Sequence, residues 1–422
     1  MSRPTAGRLR AVPAALGERD FRLLFVGHAL SRLGSGMVGV ALAFAVLDAT
    51  GSVGDLGLVL ACRTVALSVF LLPAGVLADR FSRRGVLVVS DVVSFGSQGV
   101  LAALVISGQA QIWQFCALQA ISGSAYAFFL ATITGLTAQI VGPARLQQAN
   151  ALRSFTTSAG NVAGPALAGV LVASIGPGSA LATDAASFAI SAGFLGALRG
   201  GPHAAPATSR LHEELVEGWR AFRSRRWLLL ANAHAALMNM VVLAAFYVLG
   251  PAVARRSLNG AADWALITTA FGLGLVAGSL AALRLRPQRR MLLGLVLGVL
   301  FAPPLALLAL AAPAPAVASL AVLAGGQLTL LNTFWETTIQ EQVPPALISR
   351  VTAIDWLSSV ATQPIGYAVV GVLASSVLGI GTTLWLAAGT ALVASAAIAA
   401  FPSIRHVRAE TQAGHRRDSD RD

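Results

Sequence analysis

Lysine is absent from this chain of 422 residues, and all 30 of its basic residues are arginine. Charge of either sign is scarce: 11% of residues are charged, whereas a soluble domain carries about 25%. That is too little polar surface to cover a water-facing globule. The 2 cysteines, Cys62 and Cys116, both lie inside apolar runs and imply no disulfide framework. No phosphate loop, metal-ligand cluster, nucleophile elbow or paired-carboxylate site stands out, so neither a cofactor nor ATP-driven chemistry is expected. What the chain has in excess is apolar residue, 56% of the total, with a mean hydropathy of +0.73. At roughly 20 to 25 residues per transmembrane helix, the length holds about twelve spans and leaves no sizeable soluble domain. Most enzymes are thereby excluded.

A net charge of +12 and a pI near 11.4 would suggest nucleic acid in a soluble protein. The placement of the arginines decides otherwise. Apart from Arg32, Arg63 and Arg153 inside apolar runs, they fall at alternate loops and at the two termini, while the opposite loops carry only Arg255 and Arg256. This is the positive-inside bias, and it predicts both termini in the cytoplasm. The first apolar run is too long for a signal segment and is expected to be an uncleaved anchor.

The apolar runs predict spans at 21–47, 56–78, 85–107, 112–137, 150–175, 179–198, 227–254, 264–283, 291–311, 316–339, 352–377 and 382–401. The expected organisation is a cytoplasmic N-terminus (1–20), a six-helix half (21–198), a cytoplasmic amphipathic linker (199–226), a second six-helix half (227–401) and a disordered cytoplasmic tail (402–422). Leu211, Leu215, Trp219 and Phe222 recur at helical spacing in the linker, which suits the inner membrane surface. The halves read as repeats. Laying PARLQQANALRS from Pro143 on PALISRVTAIDW from Pro345 brings Gly164 onto Gly366 and Gly169 onto Gly371, and nearly the same shift lays AGVLA from Ala74 on AGSLA from Ala277. A weaker match pairs His28 with His234. A duplicated six-helix unit is the architecture of transporters that rock about a central site.

Two motifs carry mechanism. GVLADRFSRR, Gly75 to Arg84, lies in the short cytoplasmic link after the second span; its Asp79 can accept backbone N–H bonds at a helix start, while Arg80, Arg83 and Arg84 reach carboxylates or lipid phosphates, or merely set topology. GNVAGPALAG, with Gly160, Gly164, Pro165 and Gly169, permits close helix approach and a bend. The chain resembles the major facilitator superfamily on these segments. The first is similar to the superfamily signature, with Ser82 where Gly is usual, and the resemblance implies that Asp79 latches the two halves. The second resembles the antiporter motif of drug exporters. SRLGS (from Ser31), DATGS (from Asp48), LTAQIVGPARLQQANAL (from Leu136) and IQEQVPPALISRV (from Ile339) are similar to the enterobactin-exporter and macrolide-efflux branch. Many relatives carry an acidic residue where this chain has Ser35.

The resemblance implies an all-α membrane fold of twelve helices in two pseudo-symmetric halves, with spans 1, 4, 7 and 10 lining a central cavity. Ser31, Arg32, Ser35, Gln119, Tyr126, Asn232, Asn239, Gln327 and Asn332 are then the cavity-lining candidates. Arg32 lies near the midplane, where it either faces water and substrate or is locked in a structural bond between helices. Glu336 is the first candidate for a proton-carrying carboxyl, although near the end of its span it equally suits a solvated helix end; Asp184 is the second. Arg63 is a counter-charge for Asp184 or for Asp48. His28 and His234 suit either proton work or a hydrogen bond between helices. Asp91 and the pseudo-equivalent Arg153 and Asp355 are expected as cytoplasmic-gate residues. The expected function is export of a small amphipathic molecule across the bacterial inner membrane by proton antiport, with substrate, protons and membrane lipid as the only partners of a monomer. The alternatives are an importer or uniporter of a polar metabolite and, from a different class, a lipid-modifying membrane enzyme. For the enzyme, the only cluster near one membrane surface is His212, Glu213, Glu214 and Glu217 on the linker, which reads as a solvated helix face.

Overall fold

The computed structural model describes residues 14–199, 211–344 and 347–407. Within them the chain forms α1 (Arg19–Thr50), α2 (Val53–Arg80), α3 (Arg83–Ile106), α4 (Ile112–Ser174), α5 (Pro177–Gly196), α6 (Leu211–Arg223), α7 (Arg226–Ser257), α8 (Ala261–Arg284), α9 (Arg290–Ala309), α10 (Ala314–Gln342), α11 (Ile348–Val372), α12 (Gly379–Ile398) and the short α13 (Pro402–Arg405). Among the described residues there is no strand. Nine helices of these residues are long and apolar enough to cross a membrane. α4 covers the runs expected at 112–137 and 150–175, and α5 and α11 are helices of 20 and 25 residues where two further spans are expected.

The expected loop between the fourth and fifth spans is helical on both sides of a single break at Gly142, where φ is 66° and ψ 172°. Glycine adopts this conformation without a Cβ penalty, and the following Pro143 has no N–H to give the helix ladder. Beyond it, ARLQQANAL (from Ala144) is rich in helix-forming residues, so the chain resumes a helix rather than a loop.

The chain divides into two compact units, Met1–Ala45 with Val65–Ala207, and Val46–Thr64 with Thr208–Asp422. In the first, α3 packs along α5 and α4, and Phe21, Leu24, Leu87, Phe129, Ile133, Leu136 and Leu195 form an apolar core at one end. The buried stripe of α3 is polar, running through Ser90, Asp91, Ser94, Ser97 and Gln98, while its valines 89, 92, 93 and 100 are exposed. That is the polarity expected where the outer solvent is lipid.

In the second unit, α8 lies along α10 on a stripe of small residues. A Cβ on Gly274 would overlap the Val322 carbonyl, one on Gly278 the Gly326 carbonyl and one on Gly325 the Phe271 carbonyl. An aromatic chain closes the same region, with ring centroids 5.0 Å apart for Phe246 and Trp264, 5.5 Å for Phe246 and Phe271 and 6.1 Å for Phe271 and Phe301. α6 seats Ala221 and Phe222 against Val351 and Ile354 of α11, Trp219 stacks over Phe222, and Arg350 pairs with Glu217. The side chains of residues 211–215 lie outside the described residues, and Leu211, Leu215 and the polar cluster His212 to Glu214 with them.

Candidate functional site

In the second unit a cavity of about 520 Å³ opens between α7, α9, α10 and α11. Its wall is mixed: Met238, Leu243, Leu295, Phe301 and Leu331 are apolar, and Asn239, Gln327, Asn332 and Gln363 bring amides. Gln327 is committed to structure, since its Nε2 donates to the Gly294 carbonyl at 2.9 Å. Asn332, Glu336 and Gln340 recur every four residues on the exposed face of α10, giving the cavity one polar strip. His234 also borders it, 5% exposed, with no hydrogen-bond partner on either ring nitrogen among the described residues.

Asp355 of α11 also lines this cavity and is buried, 9% exposed. Asn232 Nδ2 of α7 donates to its Oδ1 at 2.8 Å, and Trp335 Nε1 of α10 donates to its Oδ2 at 2.7 Å. The three side chains tie three helices together.

α7 does not run straight past the cavity. Met238–Leu243 is a π-helical turn, and a Cβ on Gly366 of α11 would lie 2.7 Å from Met240 Cα and overlap the Met240 carbonyl. The wider turn pushes backbone toward α11, and only glycine leaves room for it.

The first unit holds a different polar group. Arg32 Nη1 donates to Tyr126 Oη at 3.2 Å, and its guanidinium carbon lies 5.1 Å from the centre of that ring. Arg153 Nη1 donates to Thr137 Oγ1 at 3.2 Å. Arg32 is near enough to both Asp91 and Arg153 for their charges to interact. Asp91 is 1% exposed with its Oδ2 unpaired among the described residues, and the His28 ring stacks on Phe129 at 5.8 Å. Ser31 is buried and donates to the His28 carbonyl at 3.1 Å, while Ser35 is half-buried.

Asp184 belongs to a separate chain of amides. Gln98 Nε2 donates to Asp184 Oδ2 at 3.0 Å, and Gln119 Nε2 donates to Gln98 Oε1 at 3.0 Å, so α5, α3 and α4 are bridged through wholly buried side chains. Gly34 of α1 leaves the space: a Cβ there would lie 2.9 Å from Asp184 Oδ1. Asp48, in the second unit, pairs with Arg255, Nε to Oδ1 at 2.9 Å.

The antiporter-like motif is a close helix contact. A Cβ on Gly160 would lie 2.6 Å from the Arg32 carbonyl, and one on Gly164 would lie 2.5 Å from Gly36 Cα; Pro165 and Gly169 are buried beside them. In the other motif, Arg84 donates to the carbonyls of Leu195 and Gly196, capping the C-terminal end of α5, where a cation is favoured. Arg83 packs over Gly135, Arg80 is exposed, and Gly75 has open space around it. The side chain of Asp79 lies outside the described residues.

A family model described as the Major Facilitator Superfamily matches residues 24–360. The chain belongs to that superfamily. It is therefore a multi-pass transport protein of the membrane and not an enzyme. Among curated relatives, the enterobactin exporter EntS of Citrobacter koseri is 27% identical over 384 residues, 86% of this chain and 89% of the relative. That of Shigella flexneri is 26% identical over 362 residues, 83% and 84% respectively. The fold is shared with the nucleoside transporter NupG at a TM-score of 0.71 and 15% identity, covering 90% of this chain and 98% of that one. It is shared as well with a bacterial homolog of the human lysosomal transporter Spinster, at a TM-score of 0.73 and 14% identity, covering 95% and 100%.

Ser82, where the resembled signature has glycine, has a local role. Ser82 N-caps α3, its Oγ accepting from the Gly85 N–H at 3.2 Å. Sequence reasoning missed Gln98, Thr137 and Trp335 in the polar networks. Gln98 was legible, since it continues the polar stripe of α3; Trp335 carried no signal, because an indole near a span end reads as a lipid-facing anchor.

Proposed function

We propose that the protein exports small amphipathic organic molecules, of the siderophore or lipophilic antibiotic type, across the bacterial inner membrane in exchange for protons. The observation that carries this reading is the cavity of the second unit, whose wall alternates aliphatic groups with amides and an indole. Such a wall suits a ligand with both apolar body and hydrogen-bonding groups. Near full-length similarity to enterobactin exporters supports the direction and the substrate class. The likeness to NupG extends to fold alone and supports the importer reading less.

Both termini are cytoplasmic in this proposal, because the arginines favour that side. The two six-helix halves, 21–198 and 227–401, alternate access about the 199–226 linker as a monomer. Asp79 is proposed as the latch between halves on the strength of the signature, so Asp79→Asn should lower transport per inserted molecule.

The test is uptake into inverted membrane vesicles with an acid interior, using enterobactin, macrolides and a lipophilic dye. Accumulation that collapses when the pH gradient is discharged is the expected result. Gradient-independent equilibration, or transport of nucleosides alone, would overturn it.

A further inference from the structure

The cavity of the second unit contains a carboxylate set apart from the arginine-paired acids of this chain. Asp48, Glu217 and Glu341 are each paired with an arginine, Arg255, Arg350 and Arg290 respectively. Asp355 is more buried than any of these and is held only by neutral donors, Asn232 Nδ2 and Trp335 Nε1. Among the described residues no cation pairs with it. We propose that Asp355 is the proton-carrying carboxylate of transport and that Trp335 and Asn232 are its positioning residues.

An arginine-paired carboxylate must break its ion pair to accept a proton. One held by two neutral N–H groups need not, since its two oxygens offer about four lone-pair sites and each donor occupies one. A proton can therefore bind and leave while the hydrogen bonds stay in place. The two donors come from α10 and α7, the acid from α11, and all three helices wall the cavity. A ligand seated against Trp335 thus touches the group that orients the acid, which gives substrate and proton a shared structural element.

The surrounding groups that titrate or carry charge are few. α7 brings His234, and α10 brings Glu336, both on the cavity wall. From α6, Glu217 is engaged by Arg350, more than a turn along α11 from Asp355, while Arg220 and Arg223 are exposed. Glu336 is the competing acid, but it is exposed on the cavity strip, and among the described residues no side chain of another helix holds it. Asp184 is bonded into the amide chain of the first unit and does not border this cavity.

The proposal rests on proton-driven export, so its test has one arm that needs no transport. In purified protein, the Trp335 contribution to intrinsic fluorescence, obtained as wild type minus Trp335→Phe, should show a reversible step with pH. That step should vanish in Asp355→Asn and persist in Glu336→Gln. A step that survives Asp355→Asn, or is lost in Glu336→Gln instead, overturns the assignment whether or not any substrate is known. In the transport arm, Asp355→Asn should lose accumulation driven by a pH gradient and keep counterflow of labelled substrate at equal pH. Retained gradient-driven accumulation, or loss of both activities in folded protein, would likewise overturn it. If Asp355→Asn does not fold, Asn232→Leu and Trp335→Phe should shift the pH midpoint of counterflow without abolishing it, and unshifted midpoints count against the proposal.

Discussion

Arg153 and Asp355 occupy equivalent places in the two repeats, near the start of equivalent helical segments, yet one unit carries a cation there and the other a carboxylate. The surroundings diverge accordingly. Arg153 sits with Arg32 and Thr137, whereas Asp355 sits with an amide, an indole and no cation among the described residues. The packing, by contrast, is kept. Gly164 receives Gly36 in the first unit, and its repeat partner Gly366 receives Met240 in the second. Duplication preserved the contacts that let helices approach and released the buried charges to diverge.

The largest effects should come from breaking what the two units share. Gly164→Leu and Gly366→Leu each force a branched side chain into backbone, and each should cost about 3 kcal/mol or more. Thermal unfolding of detergent-purified protein checks this, and a tolerant Gly366→Leu would show that the second contact is not equivalent to the first. Next comes the difference in charge. Asp355→Asn should lose gradient-driven accumulation, while Arg153→Gln should keep the pH dependence of the transport it retains. Transport rates measured with and without a pH gradient separate the two.

Smaller effects sharpen the comparison at the short links. α3 begins on the Ser82 cap, whereas α9, after the corresponding link, begins at Arg289 with no side-chain cap. Ser82→Ala should cost about 1 kcal/mol and Ser82→Gly only a few tenths, so the superfamily's usual glycine would be tolerated here. Smallest are the surface ion pairs Glu18 with Arg145 and Asp48 with Arg255, whose side chains are 30% to 51% exposed. Removing either should cost about 0.2 to 1 kcal/mol at low salt and less at high salt.

The repeat, the close-approach glycines and the apolar spans were all readable from the sequence, because each rests on residue type at a fixed spacing. Gly160 and Gly164 needed only the small-residue pattern. The π-helical turn at Met238–Leu243 was not readable: MNMVVL has no feature that sets it apart from an ordinary helix, and the turn is explained only once Gly366 is found beside it. The position of Asp355 along its span suggests a gate residue. Its hydrogen bond from Trp335 of α10 pairs through geometry that spacing does not encode. Asp184 and Gln119 were each visible as polar residues in apolar runs, but their connection runs through Gln98 of a third helix.

The central claim, that substrate export is coupled to protons, is tested most directly by purified protein in liposomes containing a pH-sensitive dye. Adding enterobactin to one side, with no imposed pH gradient, should drive protons the other way in the wild type. Substrate movement with no accompanying change in internal pH would contradict the account.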